Sequence, residues 1–320
     1  MPDHPRITVV IPTYNRPELV RLAVASVLAQ TYAPAEIIVV DDGSTREVAP
    51  AMEDFGDRIR LIRQANTGLS GARNTGIQAA TTDWVAFLDD DDEYANDRLE
   101  RAAESIRRFP TADVHVTNTT IVPISGPEID LFAIRSRPRD PWMHIDRPLT
   151  WVLRGCFFAQ SLVVRKELLH SVGMFRKTYY EDMDMYVRLA PHAPWIIDGK
   201  PGLRLIRRDN TAAMSDAWRA KPLARCEALV RIHREALSLA NLNAEERRAA
   251  CTGLGTYLFE LGAAHAAAGD RAAARAALNE AARTFPALHS RLKARAAALG
   301  GRPVFTLLQT WSRHRKGVVR

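Results

Sequence analysis

Four carboxylates stand side by side in Asp89-Asp90-Asp91-Asp92, directly after the strand-like segment Asp83-Trp84-Val85-Ala86-Phe87-Leu88. Like charges this close repel, so a fold can hold them only with water, donors or a cation beside them. Taken alone, such a run reads most often as a solvated acidic turn or a helix N-cap. The chemically richer partner is a divalent metal. Mg2+ and Mn2+ take oxygen ligands and, when one or two carboxylates hold them, complete their shell with water and substrate phosphates. Two further clusters can share a site with this run. Pro12-Thr13-Tyr14-Asn15-Arg16 offers an aromatic ring able to stack on a nucleobase, and Asp41-Asp42-Gly43-Ser44 offers Asp42 as an acceptor for a base edge or a ribose. No G-x-G-x-x-G follows the first strand and no G-x-x-x-x-G-K-[ST] occurs, which argues against a dinucleotide site of the usual kind and against a P-loop. A nucleotide bound here needs another phosphate anchor. A metal at the tetra-Asp run supplies one, with Arg73 of Gly71-Ala72-Arg73-Asn74 as a second positive charge.

These clusters need elements to bring them together. Ile7-Thr8-Val9-Val10-Ile11 and Glu36-Ile37-Ile38-Val39-Val40 read as strands buried on both faces. Between them Leu19, Val20, Ala23, Val24, Val27 and Leu28 recur at helical spacing, with Asn15 as a candidate cap and Pro17 in the first turn. Residues 45–55 read as helix, 58–62 as a third strand, 69–80 as helix and 84–88 as a fourth strand, which together predict a doubly wound, mostly parallel sheet with helices on both faces. In such sheets ligands bind beyond the carboxyl ends of the strands, and all three polar clusters fall there. Further on, 97–108 predicts a helix, 112–122 a strand, 123–148 a long Pro- and Arg-rich loop suited to a lid or acceptor wall, Ser161 to Val164 a strand and Tyr180 to Leu189 a helix opened by acids.

The segments 9–16 (Val-Val-Ile-Pro-Thr-Tyr-Asn-Arg), 26–32 (Ser-Val-Leu-Ala-Gln-Thr-Tyr), 36–44 (Glu-Ile-Ile-Val-Val-Asp-Asp-Gly-Ser), 66–76 (Asn-Thr-Gly-Leu-Ser-Gly-Ala-Arg-Asn-Thr-Gly) and 87–92 (Phe-Leu-Asp-Asp-Asp-Asp), followed by Gly-Met-Phe-Arg (173–176) and 181–190, strongly resemble the family 2 inverting glycosyltransferases of the GT-A fold. Each motif is weak alone; all of them in order, over about residues 6–215, are specific. The resemblance implies that Thr13, Tyr14 and Asp42 hold a nucleoside, most often uridine, with Pro12 and Arg16 in the same cluster and Arg73 near the nucleotide. It places Asp89, Asp90 and Asp91 at the family's D-x-D position, with Asp91 the first ligand for Mn2+ or Mg2+, Asp89 the second, and Asp89 and Asp90 facing ribose or sugar. Asp92 is left to cap the helix that follows. Glu181-Asp182 matches the catalytic-base region, Asp182 being favoured by position, although acids at a helix start also suit the helix dipole without catalysing anything. The implied reaction moves a sugar from a nucleotide-diphosphate donor, a UDP-sugar in most of the family, to a hydroxyl. Departure of the diphosphate is metal-assisted, and one carboxylate takes the acceptor proton. Rival readings are a sugar-phosphate nucleotidyltransferase, whose Gly- and Arg-rich loop after the first strand is missing here, and a catalytically silent binding or scaffolding protein.

At 320 residues and 47% hydrophobic composition the chain can form one large α/β domain plus an appendage. We place a GT-A domain at 1–215, with a nucleotide half at 1–110 and an acceptor half at 111–215. An Ala-rich helical region follows at 216–320, where Leu261 to Pro286 echoes a tetratricopeptide helix pair. The three cysteines lack a C-x-x-C pattern, and no stretch matches a membrane span or a secretory signal, so a cytoplasmic location is expected. The net charge of +7 is uneven: residues 216–320 carry +10 and the rest −3. That asymmetry suits a solvated helical face or contact with an anionic membrane surface, above all through the basic end Trp311 to Lys316. The expected partners are the nucleotide-sugar donor, a glycan, lipid-linked or protein acceptor, and another copy of the chain. Nucleic acid is not expected, for want of a reading helix with interleaved aromatics.

Overall fold

β1 (Ile7–Thr13) is buried at every position, as a β-branched run must be when both its faces are covered. It pairs parallel with β2 (Glu36–Asp41) on one side and β4 (Trp84–Phe87) on the other, and β2 pairs parallel with β3 (Arg60–Arg63). Parallel neighbours need crossover connections, and α1 (Pro17–Leu28) and α3 (Leu69–Ala79) provide them. The helix expected over 45–55 is instead a short α2 (Ala49–Met52) continued by the 3-10 stretch Glu53–Arg58, broken where Gly56 takes φ 52°. α1 buries Val20, Ala23, Val24 and Val27, an i, i+3, i+4, i+7 stripe that joins Val9, Ile11 and Val39 in the main core. These details come from a computed structural model that describes residues 4–155, 157–207 and 221–284.

Beyond β4 the sheet becomes mixed. β9 (Leu162–Arg165) lies antiparallel between β4 and β6 (Val114–Val122), β10 (Trp195–Ile206) runs parallel to β6, and β5 (Glu93–Tyr94) is antiparallel to β10. The strand order is β3-β2-β1-β4-β9-β6-β10-β5, with β7 (Ile129–Asp130) on β6 and β8 (Met143–Ile145) on β10. Parallel pairing therefore runs unbroken through β3-β2-β1-β4 and returns at β6-β10, while β9 and β5 run antiparallel to their neighbours. β9 follows only short pieces, the last of them the helix at 149–153 and a 3-10 turn at Ala159–Ser161, with no long crossover helix to bring it in parallel, and it runs antiparallel to both its neighbours. The 123–148 stretch, expected as loop, contains β7, β8 and α5 (Leu131–Ile134). Strand β10 escaped the sequence reading because Gly199, Pro201 and Gly202 interrupt its alternation, which the structure absorbs as register shifts around Pro201.

Four more helices complete this unit: α4 (Arg98–Arg108), α6 (Leu149–Leu153), α7 (Lys166–Ser171) and α8 (Glu181–Leu189). The chain divides into two units, Met1–Thr211 and Ala212–Arg320. In the second, α9 (Pro222–Ser238), α10 (Ala244–Ala267) and α11 (Arg271–Thr284) share their own core of Val230, Leu254, Leu258, Phe259 and Ala281. Asn243 and Glu246 form a reciprocal capping box at the start of α10, and Gly269 at φ 84° turns α10 into α11. Cys226 and Cys251 are free thiols. Cys156, Arg208 and the basic end Trp311 to Lys316 lie outside the described residues. Among the described residues no helix is long and apolar enough to cross a membrane.

Candidate active site

The carboxyl ends of β1, β2 and β4 lie side by side in the sheet, so the three polar clusters become neighbours. After β1, Tyr14 is 47% exposed, an aromatic ring left open at a strand end. Asn15 takes φ 58°, a left-handed conformation that Asn tolerates. Its Oδ1 accepts from the Thr45 N–H at 2.7 Å and the Arg46 N–H at 3.1 Å, and its own N–H donates to Ser44 Oγ at 2.8 Å. Asn15 thus stitches the β1 loop to the β2 loop and does not cap α1, whose N-cap is Arg16 without a side-chain bond. In the β2 loop Gly43 takes φ 77°, and a Cβ there would meet the Asn66 N at 2.8 Å, so only glycine permits this approach.

Asp42 is buried, and its carboxylate faces its own chain. Oδ1 accepts from Gln64 Nε2 at 2.7 Å and the Thr67 N–H at 2.9 Å, and Oδ2 from the Gly68 N–H at 2.8 Å. Asp42 therefore fastens the segment leading into α3, and Oδ2 keeps a second lone pair for another donor.

The four aspartates separate by environment. Asp90 accepts from Thr13 Oγ1 at 2.7 Å and from Arg16 at 3.0 Å, and the same Arg16 nitrogen reaches Asp91 at 3.0 Å. Asp92 accepts the Ile206 N–H at 2.9 Å and Gln160 Nε2 at 3.1 Å. It ties the run to β10 and Gln160 and caps no helix, contrary to the expectation from its position. Asp89 meets Arg73 at 2.7 Å through Oδ1 and Gln160 Nε2 through Oδ2. Asp90 and Asp92 are buried, whereas the Asp89 and Asp91 side chains keep 22% and 29% of their exposure. That difference leaves Asp89 and Asp91 as the more exposed pair of the four. Burial pushes Asp90 up to about 6, partly offset by Arg16, and raises Asp91, with Asp89 adding repulsion. Burial and then Asp91 hold Asp92 well above the ordinary carboxylate range.

Arg73, expected at the phosphates, is buried and shared. One nitrogen donates to Asp89 and the other to Glu181 Oε1 at 3.0 Å, and its guanidinium lies 5.2 Å from the centre of the Phe175 ring. Burial opposes its charge, but Asp89 and Glu181 more than offset that. It is the bridge that brings the tetra-Asp run and the acidic pair into one site. Glu181 is buried, while Asp182 is partly exposed and accepts the Met183 N–H at 2.7 Å. Burial, followed by the charge of Glu181, pushes Asp182 up to about 7. The residue before the pair, Tyr180, is left-handed at φ 59°, a conformation a bulky side chain adopts only where its surroundings impose it. Arg188 pairs with Asp184 at 2.8 Å, an i, i+4 contact inside α8.

Sequence reasoning missed Gln160 and the α3 residues Ser70 and Asn74. Gln160 belongs to no motif. Asn74 adjoins Arg73 in the family-like segment 66–76, but nothing in the spacing reveals its partner.

The mixed sheet with helices on both sides is of the GT-A type. The sequence model of glycosyl transferase family 2 matches residues 8–169, about half the chain, and the protein belongs to that family. Among curated relatives, an uncharacterized glycosyltransferase of Nostoc sp. is 44% identical over 113 residues, 34% of this chain and 34% of that protein. The succinoglycan biosynthesis protein ExoW of Rhizobium meliloti is 44% identical over 111 residues, 32% of this chain and 35% of ExoW. These alignments span about a third of the relatives' length. Among solved structures, S. aureus TarS 1–349 in complex with UDP-GlcNAc superposes with a TM-score of 0.64 at 18% identity, covering 86% of this chain and 90% of that one. The mannosyltransferase PcManGT of Pyrobaculum calidifontis, in complex with GDP-Man and Mn2+, superposes with a TM-score of 0.56 at 21% identity, covering 97% and 80%. At these identities the two structures establish the fold.

Proposed function

We propose that the protein transfers a sugar from a nucleoside-diphosphate donor, a UDP-sugar, to an acceptor hydroxyl by a single inverting displacement. The observation that carries this reading is Arg73, whose one guanidinium holds Asp89 and Glu181 at 2.7 and 3.0 Å and so sets the acidic run beside the acidic pair. The exposed Tyr14 ring stacks on the base, and Asp42 Oδ2 accepts from the nucleoside while Thr13 keeps Asp90 in place. Asp182, partly exposed and raised toward neutrality, takes the proton of the attacking hydroxyl at its carboxylate. Glu181 holds the helix start against Arg73. In this single displacement no second carboxylate need act as a covalent nucleophile, so attack is direct and the anomeric centre inverts.

The donor set fits Mg2+ or Mn2+, since Asp91 and Asp89 are hard oxygen ligands whose mutual repulsion a cation relieves. Asp91 and Asp89 would hold the cation; among the described residues no group of three His, Cys, Asp or Glu stands ready to hold one, so the rest of its shell would come from outside the protein. When bound it offsets the charge that builds on the leaving diphosphate. A glycan, lipid-linked saccharide or protein hydroxyl is the acceptor class. The relative named for succinoglycan biosynthesis favours a polysaccharide. Peripheral membrane contact through the basic end and self-association of the helical region complete the proposal.

Calorimetry with UDP and Mn2+ tests both assignments together. Asp91→Ala is expected to abolish the Mn2+-dependent part of UDP affinity. Asp182→Asn is expected to keep that affinity and lose turnover by on the order of 10²–10⁴-fold, the usual worth of a general base. Unchanged UDP affinity in the first variant refutes the metal assignment, and normal turnover in the second refutes the base.

A further inference from the structure

The segment between α7 and α8 delivers the acidic pair to the site, and it has almost no regular structure of its own. Its backbone is left-handed at Gly173 (φ 82°), Met174 (φ 53°) and Tyr180 (φ 59°). Such conformations cost free energy wherever a side chain is present and persist only when tertiary contacts over-determine them. Helix α3 supplies those contacts from one face. The Asn74 amide closes a two-way pair with the backbone of Phe175: Nδ2 donates to the carbonyl at 2.8 Å, and Oδ1 accepts the N–H at 2.9 Å. One turn earlier Ser70 Oγ donates to the Arg176 carbonyl at 3.0 Å, and between them Arg73 reaches Glu181. Positions 70, 73 and 74 follow the i, i+3, i+4 spacing of a single helical face. Phe175 is itself buried, edge-on to Phe87 at 5.2 Å and beneath the Arg73 guanidinium. It therefore touches both the strand that ends in the tetra-Asp run and the arginine that bridges to the base pair.

We propose that Asn74 is a positioning residue for the transfer reaction. By pinning Phe175 it fixes where α8 begins, and so where the Asp182 carboxylate sits relative to the Asp89 and Asp91 edge of the same site. The inference rests on Asp182 being the base. Asparagine is specified because one side chain must both donate and accept. Aspartate keeps the acceptor for the Phe175 N–H but sets an oxygen against the Phe175 carbonyl, and alanine removes both bonds. The donor side stays apart from this clamp. The bonds that hold the donor-side loop run from Gln64, Thr67 and Gly68 to Asp42, and none involves Asn74.

The test compares Asn74→Asp, Asn74→Ala and the milder Ser70→Ala in the full chain, with Asp182→Asn alongside. Three readouts are used: hydrogen exchange by peptide, UDP affinity in Mn2+ by calorimetry, and UDP release from whichever of UDP-glucose, UDP-galactose and UDP-N-acetylglucosamine the unaltered chain hydrolyses. The expected result is faster exchange over 173–182 with unchanged protection over 64–68. UDP affinity should stay within about twofold while kcat falls roughly tenfold or more, since displacing a reacting group by about 1 Å costs up to about 10²-fold. Unchanged exchange over 173–182 in both Asn74 variants overturns the clamp. A loosened segment with undiminished kcat, or UDP affinity falling in step with kcat, overturns the positioning role. Normal turnover in Asp182→Asn instead removes the base assignment, and exchange still decides whether Asn74 holds the segment. Should Asn74→Ala fail to fold, Ser70→Ala and Asn74→Asp carry the comparison.

Discussion

Asp182 meets two opposing demands. A base must be ionised to accept a proton, yet burial and the neighbouring Glu181 favour its protonated form and lift it to about 7. Turnover limited by this group is therefore expected to rise with pH at unit slope, reach half its maximum near the lifted value and level off above it. Glu181→Gln removes the second cause and leaves burial, so the midpoint should move to lower pH. A pH–rate profile at saturating donor for both chains checks this, and an unmoved midpoint would remove Glu181 from the cause. Stability runs the other way. An acid whose folded value lies above its ordinary 3.8 binds more protons folded than unfolded. Asp182 and Asp90, the latter lifted to about 6, thus withdraw stability as pH rises from the ordinary value through the lifted one. At this scale the sequence made the candidate residues legible by type and position and left their partners hidden. The tetra-Asp run announces a charge problem, but only the fold shows Arg16 on Asp90 and Asp91, Arg73 on Asp89, and the Ile206 N–H on Asp92, because each partner arrives from a different element.

Helix α3 shows how closely elements must approach to make those meetings possible. Gly76 faces β1 so tightly that a Cβ there would lie 2.2 Å from Val10 Cγ1 and 2.8 Å from Cγ2. Alanine gains about 1 kcal/mol of helix propensity over glycine, whereas overpacking a filled core costs roughly 1–3 kcal/mol. Val10 is fully buried in a strand paired on both sides and has nowhere to go, so the clash should win. We expect Gly76→Ala to destabilise the chain by up to about 2 kcal/mol in denaturant unfolding, with part of the loss recovered in the Gly76→Ala, Val10→Ala double variant. A neutral or stabilising Gly76→Ala would show that α3 can shift away, and with it Arg73 and Asn74. The sequence displayed β1, β2, β4, α1 and α3 clearly because each combines a clean period with turn residues at its ends. It did not display β10, whose Gly199-Lys200-Pro201-Gly202 interruption mimics a loop, nor the antiparallel entry of β9, which no local pattern encodes.

The charge asymmetry of the chain follows its division into units, the acidic balance lying with residues 1–211 and the basic excess with residues 212–320. Each unit also has its own core: the main cluster draws on residues from Ile7 to Leu203, the second on residues from Val230 to Ala281. Every residue proposed to hold the donor, the cation or the acceptor proton belongs to the first unit, from Pro12 to Asp182. The family match over residues 8–169 falls within it as well. A chain truncated after Thr211 keeps that core entire, so it is expected to fold and to bind UDP in Mn2+ with an affinity within about threefold of the full chain, a difference below 1 kcal/mol. Circular dichroism and calorimetry measure the two properties separately. A folded truncated chain that has lost UDP affinity would mean that the helical unit completes the nucleotide site. Retained affinity with lost transfer would assign residues 212–320 to the acceptor side of the reaction.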